Sequence, residues 1–146
     1  MTRKVGVRVR IRILLKNNRS LETVALVNTG FESPGPQLLL PVRAAEKLGL
    51  WPDLPDETVV EIYDTAGGPT RVYRIPSCAE VSVLTEEGER GRVLSDVVIS
   101  HIEVEALISD KLAEELMLSI EKPGEGLWRF RGEKKERMSE KPEYWM

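Results

Sequence analysis

Val24-Ala25-Leu26-Val27-Asn28-Thr29-Gly30 is an apolar run that ends in a polar triplet, and Leu38-Leu39-Leu40-Pro41 follows it after a loop, Phe31 to Pro36, rich in Ser, Pro and Gly. Val24 to Val27 is apolar at every position, which predicts a strand buried on both faces. Gln37 to Leu40 is long enough for a short second strand. Pro41 then suits the first position of a helix, where its missing N–H would be unpaired anyway. Ala44, Ala45 and Leu48 give that helix an inward side, and Gly49 suits its C-terminal cap.

Upstream of this stretch, Val5, Val7, Val9, Ile11 and Ile13 alternate with Gly6, Arg8, Arg10 and Arg12. The period of two predicts a strand with one buried face and one arginine-bearing face. Asn17 to Ser20 reads as a turn, and Leu21 to Val27 as the return strand. Downstream, Trp51 to Asp56 is too proline-rich for regular structure. Thr58 to Tyr63 and Thr70 to Ile75 read as strands joined by Asp64-Thr65-Ala66-Gly67-Gly68-Pro69, a hairpin with a small-residue tip. Further strands are expected around Val81 and Val83, from Val93 to Ile99 and from Leu127 to Phe130. A short helix from Ser109 to Met117 has Ser109 or Asp110 as its N-cap.

One internal echo runs through this order. Leu39 to Leu50 aligns with Leu107 to Leu118 at a constant offset of 68 residues, each an apolar dipeptide leading into a short helix that ends in Leu-x-Leu. Many short strands with two short helices predict an all-β, closed, barrel-like domain over residues 1–130. Residues 131–146 hold nine charges and little apolar content before Tyr144-Trp145-Met146, and are expected to be a mobile tail or one docked on a partner.

Composition narrows the function. With 146 residues and 41% hydrophobic content the chain has material for one core. No apolar run approaches the roughly 20 residues needed to span a bilayer, and the N-terminus lacks the pattern of a signal peptide, so a cytoplasmic location is expected. One cysteine, Cys78, excludes an internal disulfide, and with one histidine, His101, it leaves no metal site or cofactor to expect. A single glutamine and three asparagines against 45 charged side chains is a bias seen in heat-adapted proteins. Residues 1–19 carry seven basic groups and no acidic one, whereas residues 20–130 carry nine basic and twenty acidic, a net of -11. Such a body repels phosphate backbones and argues against nucleic acid.

The ordered set of an apolar strand, Asn28-Thr29-Gly30, a loop, Leu38-Leu39-Leu40-Pro41 and a helix ending Leu48-Gly49-Leu50 resembles the retropepsin-like aspartic proteases. The resemblance extends to the Gly67-Gly68 hairpin, where that family has its substrate-covering flap, and to Ala106-Leu107-Ile108 leading into the second helix. It implies a small acid-protease barrel that pairs as a homodimer, because one triplet per chain makes half a cleft. It implies that Thr29 and Gly30 fix the loop, and that Phe31, Ala66, Gly67 and Gly68 contact an extended peptide. The family's chemistry needs two carboxylates that share one proton, one polarising the peptide carbonyl and the other activating water.

Asn28 stands where the family has its catalytic Asp. An amide has no proton equilibrium near neutral pH and cannot act as general base. The sequence therefore reads as a retropepsin-like protein with a disabled cleft that binds a peptide or partner strand. Two alternatives stand beside it: a genuine aspartic endopeptidase represented by an inactive Asp-to-Asn variant, and a structural or regulatory dimer with no cleft ligand. Phe31, Ser109 and Met117 depart from the family pattern as well, the last two where glycine is expected, which favours natural drift over a single introduced change. His101 and Cys78 read as structural, Asp64 as a turn residue, and Arg8, Arg10 and Arg12 as a solvated or acid-paired strand face.

Overall fold

A computed structural model describes residues 6–146; Val5, which the sequence places in the first strand, lies outside the described residues. Among the described residues, ten strands and two short helices follow in the order β1 (Arg8–Leu15), β2 (Ser20–Val27), β3 (Gln37–Pro41), α1 (Val42–Lys47), β4 (Val59–Thr65), β5 (Gly68–Thr85), β6 (Gly88–Ser100), β7 (Ala106–Ile108), α2 (Asp110–Glu115), β8 (Leu118–Lys122), β9 (Leu127–Phe130) and β10 (Arg137–Met138). The main sheet runs β1-β2-β7-β3-β6-β5-β4, and β1 also pairs with β5, which closes six strands into a barrel and leaves β4 outside it. A second sheet, β10-β9-β8, seats Trp128 and Phe130 in the core.

Alternation along the strands sorts side chains into two apolar clusters. Ile11, Ile13, Leu38, Leu40, Val81 and Ile99 are fully buried inside the barrel, where the α1 residues Ala44 and Ala45 also pack. The residues between them face outward. Leu26, Leu107, Leu39 and Val98 are successive register partners across β2, β7, β3 and β6 and form an apolar row on the outer face. Val72 joins three of them, and Leu26, Phe31 and Tyr63 pack against that group.

The offset of 68 residues in the sequence has a structural counterpart. Leu39 and Leu107, equivalent in the echo, are direct partners across the antiparallel β3–β7 pair, so a local twofold axis passes between them. Around it, Leu40 on β3 pairs in parallel with Ile99 on β6, as Ile108 on β7 pairs with Val27 on β2. Pro41 and Ser109 cap the two helices, and Gly49 (φ 75°) and Met117 (φ 63°) both take the left-handed conformation after them. The same relation makes Ser100, after Ile99, the counterpart of Asn28.

Several expectations need correction. Pro41 is the N-cap and the last residue of β3, one position before the helix proper. The strands expected at Thr70–Ile75 and around Val81 are one strand of 18 residues, β5. Pro76 interrupts the pairing with β6, the register shifts between Ile75 and Ala79, and Ser77 (φ 45°) turns the chain so that the strand bends without ending. Of the two readings of the arginine face, solvated or acid-paired, Arg8 takes the second and is buried as well: it is 1% exposed and holds Glu105 through Nε at 2.6 Å and a second nitrogen at 3.1 Å. Arg10 and Arg12 are acid-paired, Arg10 with Glu143 and Arg12 with Glu22 and Glu89.

The tail lies along its own chain. Arg8 N–H donates to Ser139 Oγ (2.8 Å), and Glu140 N–H donates to the Arg8 carbonyl (2.8 Å). The Glu143 carboxylate accepts from Arg10 (2.6 Å) and from Val24 N–H (3.2 Å), and the Trp145 indole donates to Thr23 Oγ1 (3.0 Å). Among the described residues no helix is long and apolar enough to cross a membrane.

Candidate functional site

Asn28 is the first residue beyond β2, and its placement follows from the strand pairing. Its N–H donates to the Ile108 carbonyl (3.1 Å), which extends the β2–β7 ladder by one bond. The chain then reverses. Phe31 N–H donates to the Asn28 carbonyl (2.9 Å), and Gly30 N–H donates to Asn28 Oδ1 (3.1 Å). The amide oxygen thus holds its own loop as an Asx turn. A Cβ on Gly30 would sit 3.3 Å from that oxygen, so glycine is what lets the turn close this tightly. Phe31 O accepts from Asp110 N–H (2.9 Å), which ties the loop to the start of α2.

Ser109, where the family pattern expects glycine, is fully buried, and its hydroxyl oxygen accepts from Gln37 N–H (3.1 Å) and Leu112 N–H (3.2 Å). One side chain therefore caps α2 and joins it to β3, directly beneath the Asn28 loop.

The β4–β5 hairpin stands over this loop. Its tip is Ala66-Gly67, closed by Thr65 Oγ1, which donates to the Gly68 carbonyl (2.7 Å) and accepts from Gly67 N–H (3.2 Å). Between hairpin and barrel lies a groove of about 270 Å³. Leu39, Val72 and Leu107 from the outer apolar row form its floor, and Phe31 and Tyr63, with ring centroids 6.3 Å apart, form one wall. Asn28, Gly30 and Ala66 line it, as do Asp64, Ser100 and Glu103. Of the residues singled out from the sequence, the groove thus gathers Asn28, Gly30, Phe31 and Ala66; Thr29, Gly67 and Gly68 are neighbours in the chain that do not line it.

Ser100 repeats the Asn28 arrangement across the local twofold axis. Its Oγ accepts from Ile102 N–H (3.3 Å) and Glu103 N–H (3.4 Å), as Asn28 Oδ1 accepts from the residue two positions on. Sequence reading missed Ser100, and the echo already pointed to it, since the strands flanking the repeated Leu-Leu and Leu-Ile dipeptides must correspond. Tyr63 and Glu103 carry no comparable signal.

Burial raises the Tyr63 phenol above its ordinary value, and its O–H donates to Gln37 Oε1 (2.8 Å). Cys78 does not line this groove; it sits at the bend of β5, and burial pushes its thiol up to about 11, which suppresses the nucleophilic thiolate. His101 packs edge-on against Trp51 at 4.8 Å between centroids and against Tyr73 at 5.9 Å. Among the described residues no three of His, Cys, Asp and Glu converge to hold a metal ion.

Chemically, the loop places a neutral donor–acceptor group at a partly apolar groove. It can hydrogen-bond a peptide amide and cannot take up a proton from water. No protein-family model matches this sequence, and no curated protein does.

Proposed function

We propose that this chain is a retropepsin-like homodimeric protein whose cleft has lost aspartic-protease catalysis and binds an extended peptide or partner strand. The supporting observation is Asn28 itself: it leaves β2 at the mouth of the groove under the β4–β5 hairpin, with its side-chain oxygen spent on Gly30 N–H. A carboxylate there would keep a second oxygen free for water, whereas the amide presents NH2 instead. Pairing of two such loops would build one cleft from two chains.

The test compares wild type with Asn28→Asp. The wild type is expected to bind a statine-type peptide (a hydroxyl at the attacked position) and to cleave no substrate between pH 3 and 8. The Asn28→Asp protein is expected to cleave, most strongly at acidic pH where two facing carboxylates hold one proton. Cleavage by the wild type would overturn the disabled-cleft reading, and failure of the wild type to bind would overturn the binding one. Light scattering at micromolar concentration reads the dimer directly, and a monomer there would remove the two-chain cleft.

A further inference from the structure

We infer that the ligand of this groove is a basic extended peptide, one carrying Lys or Arg two residues from an apolar side chain, laid along the outer edge of β4. The inference rests on the peptide-binding reading above and adds the substrate class to it.

Three observations carry it. First, the groove continues. Gly30, Phe31, Tyr63 and Asp64 also line an adjoining cavity of about 500 Å³ that extends along β4 past Glu61 and Ile62 to Asp96. Second, β4 pairs with β5 alone, so among the described residues its other edge has no strand partner, and Val60 and Ile62 on it are 57% and 63% exposed. An extended chain can add there through backbone hydrogen bonds.

Third, the lining is acidic in a selective way. Arg74 is the one cation lining the cavity among the described residues, and Glu61 (2.5 Å) and Asp96 (3.3 Å) neutralise it. Asp96 is further occupied by Ser77 N–H (2.8 Å) and Gln37 Nε2 (3.5 Å). Glu32 and Asp64 remain, both exposed, with no ion-pair or hydrogen-bond partner for their side chains among the described residues. Arg71, the β5 partner of Ile62, does not line the cavity. Ile62 and Asp64 sit on one face of β4, roughly 7 Å apart, so an added strand would offer them side chains two residues apart. That spacing fixes the apolar–x–basic pattern.

The experiment uses three dye-labelled octapeptides, two repeats of Val-Ser-Lys-Ser with the Lys positions kept or replaced by Gln or by Glu, titrated into the full-length protein by fluorescence anisotropy. The Lys peptide is expected to bind tightest. Glu32→Gln and Asp64→Asn are each expected to weaken it by about two- to fivefold at low salt, the range of an exposed ion pair. Glu115→Gln, exposed on α2, should leave binding unchanged. The preference should fade at 0.5 M salt, where the screening length is roughly 4–5 Å. Equal binding of the three peptides overturns the basic selection and leaves the peptide-binding reading standing. Binding of none overturns both. Should a variant melt early, the ranking of the three peptides on wild type decides alone.

Discussion

Met117 is a residue in a glycine's place. Its φ of 63° matches the 75° of Gly49 at the equivalent end of α1, and its side chain is 42% exposed. A side chain in the left-handed region costs about 1–2 kcal/mol through its Cβ, and little burial offsets this. Met117→Gly is therefore expected to raise unfolding stability by about 0.5–1 kcal/mol, read from the urea midpoint; a lowered midpoint would show that the thioether holds the second sheet in place. Ser109 is the opposite case. It also departs from glycine, but its hydroxyl satisfies two buried N–H groups. The sequence marks both positions as departures from one pattern. It cannot distinguish them, because what separates strain from bonding is which backbone groups the fold brings within 3.2 Å.

At the scale of elements, alternation made β1 legible, continuous apolar runs made β2 and β3 legible, and an inward apolar side made the helices legible. The pattern does not say what covers the other face. Arg8 reads as an outward residue of β1, and it becomes buried because Glu105, just before β7, and the tail close over it. Glu105→Gln is expected to cost about 3–5 kcal/mol, the penalty of leaving a buried guanidinium without its counter-charge. Combining Arg8→Met with Glu105→Leu should recover much of that loss, and denaturant titration of the single and double variants measures the difference. A single-variant loss below about 1 kcal/mol would show that water reaches the pair. The strand β8 escaped the sequence reading for another reason: its two apolar residues, Leu118 and Ile120, are only half-buried, too short an alternation to stand apart from the helix before it.

At the scale of the whole molecule, the charge segregation in the sequence is resolved within one chain. Arg8, Arg10 and Arg12 of the basic N-terminal stretch meet Glu22, Glu89, Glu105 and Glu143, so three of the four partners come from the acidic body and one from the tail. The tail then ranks as part of the fold. Removing residues 137–146 is expected to lower stability by about 2–4 kcal/mol, the sum of a few net hydrogen bonds, and to increase hydrogen exchange in β1 and β2; an unchanged midpoint would mean that the tail lies on the barrel without holding it.

The barrel wall and the hairpin over the groove are the two arms of one bent strand, β5, and its elbow is pinned where Ser77 N–H meets Asp96. The hairpin is thus a cantilever clamped at its root. Were a peptide to lift the free end, the load would fall on that root, and so on Asp96, a carboxylate that lines the adjoining cavity.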